Sequence, residues 1–312
     1  MITLAEKLIV VSKTPVNPEA RRAVEFVSST PMMITPQYTN SGVTLQYSLD
    51  GTSWTTITSG ATTPNANIIY FRGSATGTKS LYTSNTTTNS WTFSGATNLE
   101  CNGKLDRLIQ NTLGDDSDIL IISSYCFAYI FNNVTSLIRV YDDFLPATTL
   151  ATSCYQNMFQ GCKGLTIAPE LPATTLQPDC YQNMFLGCTG LTIEPALPAT
   201  ALASSCYYGM FYGCTSLTIA PALPATALQP NCYYGMFQGC TKITTAPELP
   251  ATTLVDYCYY NMFLGCKGLT IAPELPATTL VDYCYYSMFY GCIGLTTAPI
   301  LPATTLARSC YY

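Results

Sequence analysis

The most reactive side chains in this 312-residue sequence are its fifteen cysteines, and their spacing limits the chemistry open to them. From residue 154 onward they come in pairs such as Cys206 and Cys214, eight positions apart. On one helix that spacing is about 12 Å along the axis, beyond the roughly 7 Å that a disulfide allows between Cα atoms. The chain has no histidine and no Cys-x2-Cys pair, so it has no recognisable zinc ligand set. We therefore predict no metal site and a ladder of reduced, buried thiols; disulfides between equivalent cysteines of neighbouring repeats are the alternative.

The sequence contains few residues suited to acid–base catalysis. The commonest general base, histidine, is absent, and no phosphate-binding loop, dinucleotide motif or serine nucleophile elbow occurs. Carboxylates recur next to prolines, and we interpret them as solvated corner residues: Glu170, Glu194, Glu248 and Glu274. We predict no catalytic residue and no cofactor, and hence that the chain is not an enzyme.

The elements that position these residues are internal repeats. The motif "LPATTL" or "LPATAL" begins at Leu145 and returns every 26 residues up to Leu301. A strict period of this length predicts the coils of a solenoid, each of which buries its apolar face only against its neighbours. Residues 145–312 hold six complete copies and a partial seventh. Because the sequence ends within a copy, we expect the natural protein to continue past Tyr312.

Within each copy, the segment between the paired cysteines predicts a short helix with one buried stripe. If the first cysteine is position 0, the nearly constant residues lie at positions 0, 1, 4, 5 and 8. At 100° per residue they cover an arc of about 140°. The following "LTIAP" alternates Leu and Ile as a short strand does, and the prolines suit corners. The predicted core of one copy is Cys206, Met210, Phe211, Cys214 and Leu217.

Positions 2, 3 and 6 fall on the opposite, variable side of the predicted helix. Tyrosine occupies position 2 in four successive copies and would form a row at the surface. Such a row is suited to contact with protein or glycan, or the rings pack on one another between coils. The candidate partner-binding residues are Tyr208, Tyr212, Tyr234, Gln238, Tyr260, Asn261, Leu264, Tyr286 and Tyr290.

The N-terminal part differs in composition from the repeats. Residues 31–97 are rich in Thr, Ser and Asn, and Asp50-Gly51 lies between β-prone flanks, which predicts a hairpin within a small β-sandwich-like domain. Residues 98–144 form a junction and a degenerate capping repeat. Residues 1–30, with a short predicted helix at Pro18–Val27, form a leader or a segment that anchors the chain to a larger assembly.

The repeat resembles the BspA-like (Treponema-type) leucine-rich repeats through its "Y-x-x-M-F-x-G-C-x-x-L" segment, which is followed by a short strand and "LP". In this chain Met takes the usual Ala place and Cys the usual Ile place at position 0. The resemblance covers about Ser123–Tyr312 and implies a leucine-rich-repeat solenoid with one short strand and one short helix per coil. Together with the small all-β domain predicted before it, this gives an α+β chain. Proteins of this family are surface proteins that bind host proteins or other cells. The resemblance therefore implies a binding role and no catalysis.

Composition narrows the possible partners. The net charge is −5 and only 10% of residues are charged, which gives no electrostatic footprint for nucleic acid. The apolar run Ile119–Phe131 is too short to cross a membrane, and no Sec signal peptide is evident. We expect a non-enzymatic adhesion or recognition protein on a bacterial surface or a virion appendage such as a phage tail fibre, with a protein or glycan partner on a cell surface. The alternatives are a structural spacer, and an enzyme acting on glycans through the N-terminal domain, since "SLDGTSW" resembles the Asp-box of sialidases with one residue too few.

Overall fold

The computed structural model describes residues 22–84, 86–110, 112–113, 119, 121–141 and 143–311. Within these ranges the regular secondary structure is almost entirely β-strand, and no α-helix occurs. Short 3-10 helices lie at Thr87–Asn89 and Leu105–Leu108.

The strands of the N-terminal part form one open sheet. The strands are β1 (Val24–Thr35), β2 (Val43–Ser48), β3 (Thr55–Ile57), β4 (Ala66–Ala75), β5 (Thr92–Ser94), β6 (Leu99–Asn102) and β7 (Leu137–Val140). Their order is β3-β2-β4-β1-β6-β7, with β5 paired to the far end of β1. All pairs are antiparallel except β6 with β7.

This sheet corrects two expectations. The sandwich predicted for residues 31–97 is an open sheet that also takes in β6 and β7, from the region predicted to be a junction and capping repeat. The helix predicted at Pro18–Val27 is replaced over residues 24–27 by the start of β1, where Val24 and Phe26 are buried and Glu25 and Val27 are half-buried. That alternation has the period of a strand, not of a helix; residues 1–21 of the predicted leader lie outside the described ranges.

Aromatic packing joins the sheet to the repeats in one hydrophobic core. Phe26 of β1 contacts Phe71 of β4 and Phe131 of the degenerate repeat, with ring centroids 5.9 and 6.3 Å apart. Phe131 in turn stacks on Phe159 at 5.5 Å. The sheet therefore covers the apolar end of the stacked repeats.

Successive repeat units pair in parallel and in strict register. Isolated bridges join equivalent residues 26 positions apart, among them Ile167 with Ile193 and Ala201 with Ala227. The N–H of Thr166 donates to the carbonyl oxygen of Ile138 in β7 (3.3 Å), so the first unit continues from the edge of the sheet. The position-5 phenylalanines form a continuous stack between units, with Phe185 and Phe211 5.6 Å apart and 7° from parallel.

The helix predicted in each unit is wrong: the segment from position −2 to 7 is a run of consecutive turns. Alternate amides use different partners. The N–H of Tyr208 donates within its own unit to Ser205 O (3.1 Å), whereas the N–H of Tyr207 donates to Cys232 O of the next unit (3.1 Å). In an α-helix every amide would donate four residues back along the same segment. Here half of the amides bond neighbouring units to each other.

Residues in the left-handed conformation recur every fourth position in these turns. In one unit they are Ser205, Gly209 and Gly213, with φ of 53°, 56° and 72°. Equivalent places in other units hold Asn157, Asp179 and Asn183, also with positive φ. Gly, Asn and Asp tolerate this conformation best. The segment therefore repeats every four residues, and positions 0, 4 and 8 fall on one side, as do 1 and 5.

The predicted strand is also shorter than expected. In "LTIAP", Leu217 is fully buried, whereas Ile219 is 64% exposed, and most units contribute a single bridged residue there. Leu and Ile therefore do not share one buried face, because the backbone turns away from the core at the prolines before a second apolar side chain can point inward.

Candidate binding surface

Four tyrosines at position 2 form a continuous surface stack, named here the tyrosine row. Its members are Tyr208, Tyr234, Tyr260 and Tyr286, each half-buried. Successive ring centroids lie 4.5, 4.6 and 4.7 Å apart, and the planes are 9° to 13° from parallel. The turns place these side chains outward, while the neighbouring positions 1 and 4 point into the core.

Stacking of this kind decides which atoms a partner can reach. Both faces of Tyr234 and of Tyr260 are covered by the adjacent rings, so only ring edges and hydroxyl groups face outward. The Tyr234 ring lies between the rings of Tyr208 and Tyr260. Partial burial, together with these two phenols, raises the pKa of Tyr234 to about 12. The row therefore presents a line of phenolic hydroxyls, which can both donate and accept hydrogen bonds.

A second pair of stacked tyrosines widens the row at its C-terminal end. Tyr257 and Tyr283, at position −1, have centroids 4.9 Å apart and planes 6° from parallel. Tyr257 also contacts Tyr260 at 5.6 Å, and the guanidinium of Arg308 lies 5.4 Å from the Tyr283 ring centroid. The sequence also predicts contact at the variable tripeptides that precede each first cysteine, and Tyr257 belongs to one of them, "VDY" at Val255–Tyr257. The same tripeptide recurs one period later and contains Tyr283.

The other predicted partner-binding residues lie beside the tyrosine row. At position 6, Tyr212 and Tyr290 are exposed, whereas Gln238 and Leu264 are half-buried. Asn261, at position 3, is half-buried and has φ of 55°, so its backbone role in the turn constrains it. Position 6 thus adds a more accessible, chemically mixed column.

Toward the N-terminal units, glutamine replaces tyrosine at position 2. At position 2 the first two complete units carry Gln156 and Gln182, whose side-chain amides hydrogen-bond to each other. The surface column therefore begins with paired amides and continues with stacked phenols. From Gln156 to Tyr286 every residue at position 2 is Gln or Tyr, and each one pairs with a residue of the same type in an adjacent unit.

The cysteines offer no reactive site at this surface. All fifteen are free, and all are buried, as predicted. At position 8 each thiol donates to a phenylalanine carbonyl oxygen of the preceding unit, for example Cys214 Sγ to Phe185 O at 3.1 Å. Burial raises the pKa of the Cys214 thiol well above its ordinary value, so the nucleophilic thiolate is suppressed.

The predicted core residues of this unit lie where no partner can reach them. Cys206, Met210, Phe211, Cys214 and Leu217 are all fully buried. Tyr207 at position 1 is also buried, and desolvation raises the pKa of its hydroxyl well above its ordinary value. These residues hold the units together, and the surface columns are free to differ between units.

Within the described ranges, His, Cys, Asp and Glu side chains do not gather in threes in a way that could hold a metal ion. In the same ranges no helix has the length and apolar character needed to cross a membrane. No protein-family model, curated protein or solved structure matches this chain.

Proposed function

We propose that this chain is a non-enzymatic adhesion or recognition protein that binds a protein or a glycan on a cell surface. In this proposal the 26-residue units are coils of a leucine-rich-repeat solenoid of the BspA-like type, and the N-terminal sheet covers its first coil. The parallel register between units supports the solenoid, because each unit hydrogen-bonds to the same positions of the next.

The tyrosine row is the observation that carries the proposal. It places four phenol edges along one line at intervals of 4.5 to 4.7 Å, within a column that varies between units while the core does not. Tyrosine is enriched at protein interfaces because its ring is apolar and its hydroxyl is polar. A partner with repeated hydrogen-bonding groups would meet several equivalent contacts at once, which increases avidity.

A spacer is the second candidate function, and one observation favours it. The rings of the tyrosine row already satisfy each other by stacking, so they stabilise the column with no partner present. In that case the repeats would set a distance, and recognition would lie elsewhere in the assembly.

The carrier that we propose is a bacterial surface or a virion appendage, and neighbouring genes for tail or for export proteins would distinguish the two.

Binding to panels of glycans and of intact bacterial cells tests the proposal. The unmodified chain is compared with a variant in which Tyr208, Tyr234, Tyr260 and Tyr286 are replaced by Ser. We expect the unmodified chain to bind at least one member of a panel and the variant to lose that binding while its circular dichroism spectrum is unchanged. Equal binding by both chains would exclude the tyrosine row, and no binding by either would favour the spacer.

A further inference from the structure

A continuous groove runs along the corners of the repeat units, away from the tyrosine row. Two adjoining cavities, of about 390 and 550 Å³, share Glu194, Pro195, Ala196 and Pro198. We name it the proline groove and define it by the prolines that line it: Pro169, Pro172, Pro195, Pro198, Pro221 and Pro224. Because the two cavities share a wall, the groove crosses three successive units.

The groove exists because backbone pairing between units stops at the prolines. The N–H of Ala168 donates to Ile193 O (3.1 Å), and the next such bond begins at Thr174, whose N–H donates to Thr148 O (3.2 Å). Proline has no N–H to continue the ladder. Within the described chain, no backbone hydrogen bond links residues 169–173 to a neighbouring unit. Leu171 and Ala173 in this stretch are buried, whereas Glu170 is exposed, so Glu170 is the non-proline residue of this corner that another molecule can approach.

One wall of the groove is an exposed apolar edge. Ile167 and Ile193 line the first cavity, and the same column continues with Ile219, then Thr245, then Ile271. Ile193, Ile219 and Ile271 are 52%, 64% and 60% exposed. Large apolar side chains that stay exposed in a row mark an interaction site more often than isolated ones do. The prolines opposite add rigid apolar surface that loses no side-chain entropy on binding.

The charged residues that line the groove are all acidic. Its two cavities are lined by Glu170 and Glu194, and by no Lys or Arg. Glu248 and Glu274 are exposed at the equivalent corners of later units. Charge complementarity therefore favours a basic partner.

We propose that the proline groove binds an extended, basic peptide segment of another protein. The groove runs across three units that lie about 4.8 Å apart, which suits an extended segment rather than a compact one. Its apolar side chains contact the isoleucines and prolines, and its Lys or Arg side chains lie near the glutamates. The apolar contacts supply affinity, and the charge pairs select a basic segment. This site is separate from the tyrosine row and does not depend on it.

Selection from a library of random 12-residue peptides displayed on phage tests the proposal. The bait is the full chain, and the comparison bait is the Ile193→Ser, Ile219→Ser double variant, whose changes are at exposed positions. We expect peptides with a net positive charge to be retained at least about tenfold better by the unmodified chain. In titrations with a retained peptide, Glu170→Gln and Glu194→Gln should each weaken binding about two- to fivefold, as partly exposed charge pairs do.

Three outcomes would overturn the proposal. One is equal retention by the two baits, and another is enrichment of peptides with no excess of Lys and Arg. The third is loss of the same peptides by the tyrosine-row Ser variant, which would place their binding on the other surface. A tyrosine-row variant that keeps these peptides but loses panel binding would support both sites independently.

Discussion

Phe211 and Tyr212 are neighbours in the chain, yet Phe211 is fully buried and Tyr212 is 40% exposed. Phe211 stacks between Phe185 and Phe237, with centroids 5.6 and 5.7 Å away. We expect Phe211→Ala to lower the free energy of unfolding by about 3–5 kcal/mol, through lost burial and a cavity. Tyr212→Ala should change it by less than about 0.5 kcal/mol, as at ordinary surface sites. Urea denaturation followed by circular dichroism measures both, and similar losses in the two variants would refute this orientation.

The turn conformation and a helix predict opposite effects of the Gly235→Ala substitution on stability. This residue has φ of 55°, and a Cβ there would meet mainly the end of the Gln238 side chain, at 3.3 Å. In a helix interior, Gly→Ala would stabilise by about 1 kcal/mol. In the left-handed conformation it should destabilise by about 1–2 kcal/mol. Gly235→Asn, which matches Asn261 of the next unit, is the control and should cost less; stabilisation by Ala would contradict the turns.

The buried thiols predict how stability depends on pH. Burial raises the pKa of Cys188, of Cys232 and of Cys266 from the ordinary 9.0 to about 12. Such groups contribute stability that is fully present below the unfolded-state pKa and is lost as pH rises through the folded-state value. With no histidine in the chain, stability should be nearly flat from pH 6 to 8 and fall steeply between about pH 9 and 12. Urea midpoints measured across this range check it, and a midpoint that holds to pH 11 would contradict the buried-thiol ladder.

Maleimide labelling tests the state of the thiols directly. We expect slow labelling of the native chain at pH 7, and complete labelling of all fifteen thiols in denaturant without reductant. Within the native chain, Cys292 and Cys310, which are 8% and 5% exposed, should react first. Peptide mapping after a short reaction identifies them. Thiols that stay unreactive in denaturant would instead indicate disulfides.

The sequence predicts the buried stripe of each unit but not the backbone that produces it. Over nine residues, a period of 3.6 and a period of four place the same five residues on one side. Cys206, Met210 and Cys214 therefore look alike in both. The missed signal is the recurrence of Asn, Asp, Ser or Gly every fourth position, as at Ser205 and Gly209. The alternating bonds to the next unit depend on stacking, which a single unit cannot reveal.

The N-terminal sheet was predictable only in part. The hairpin at Asp50-Gly51 follows from local turn chemistry, and Ser48, Thr52 and Ser53 all donate to Asp50 Oδ1. The position of β7 beside β6 does not follow, because its partner is 38 residues earlier, as Leu99 pairs with Leu137. Such long-range pairing depends on tertiary packing rather than on local propensity.

The candidate site was predicted as a set of positions but not in its geometry. The repeat places Tyr234 and Tyr260 in one column, which is a consequence of period alone. That their rings would stack face to face, leaving only edges and hydroxyls, depends on the distance between units. The proline groove was not predicted because it forms between the proline corners of adjacent units. The sequence of one unit does not show how far its corner lies from that of the next unit.

The affinity of a Phe-substituted tyrosine row for its panel partner tests the central claim most directly. Replacing Tyr208, Tyr234, Tyr260 and Tyr286 with Phe keeps the ring stack and removes only the four hydroxyls. Each net hydrogen bond contributes about 0.5–1.5 kcal/mol, so we expect affinity to fall at least about tenfold without loss of stability. Tyr233→Phe with Tyr259→Phe, at buried position 1, is the matched control and should leave affinity unchanged. An affinity within about twofold of the unmodified chain for the Phe-substituted row would contradict recognition through its hydroxyls.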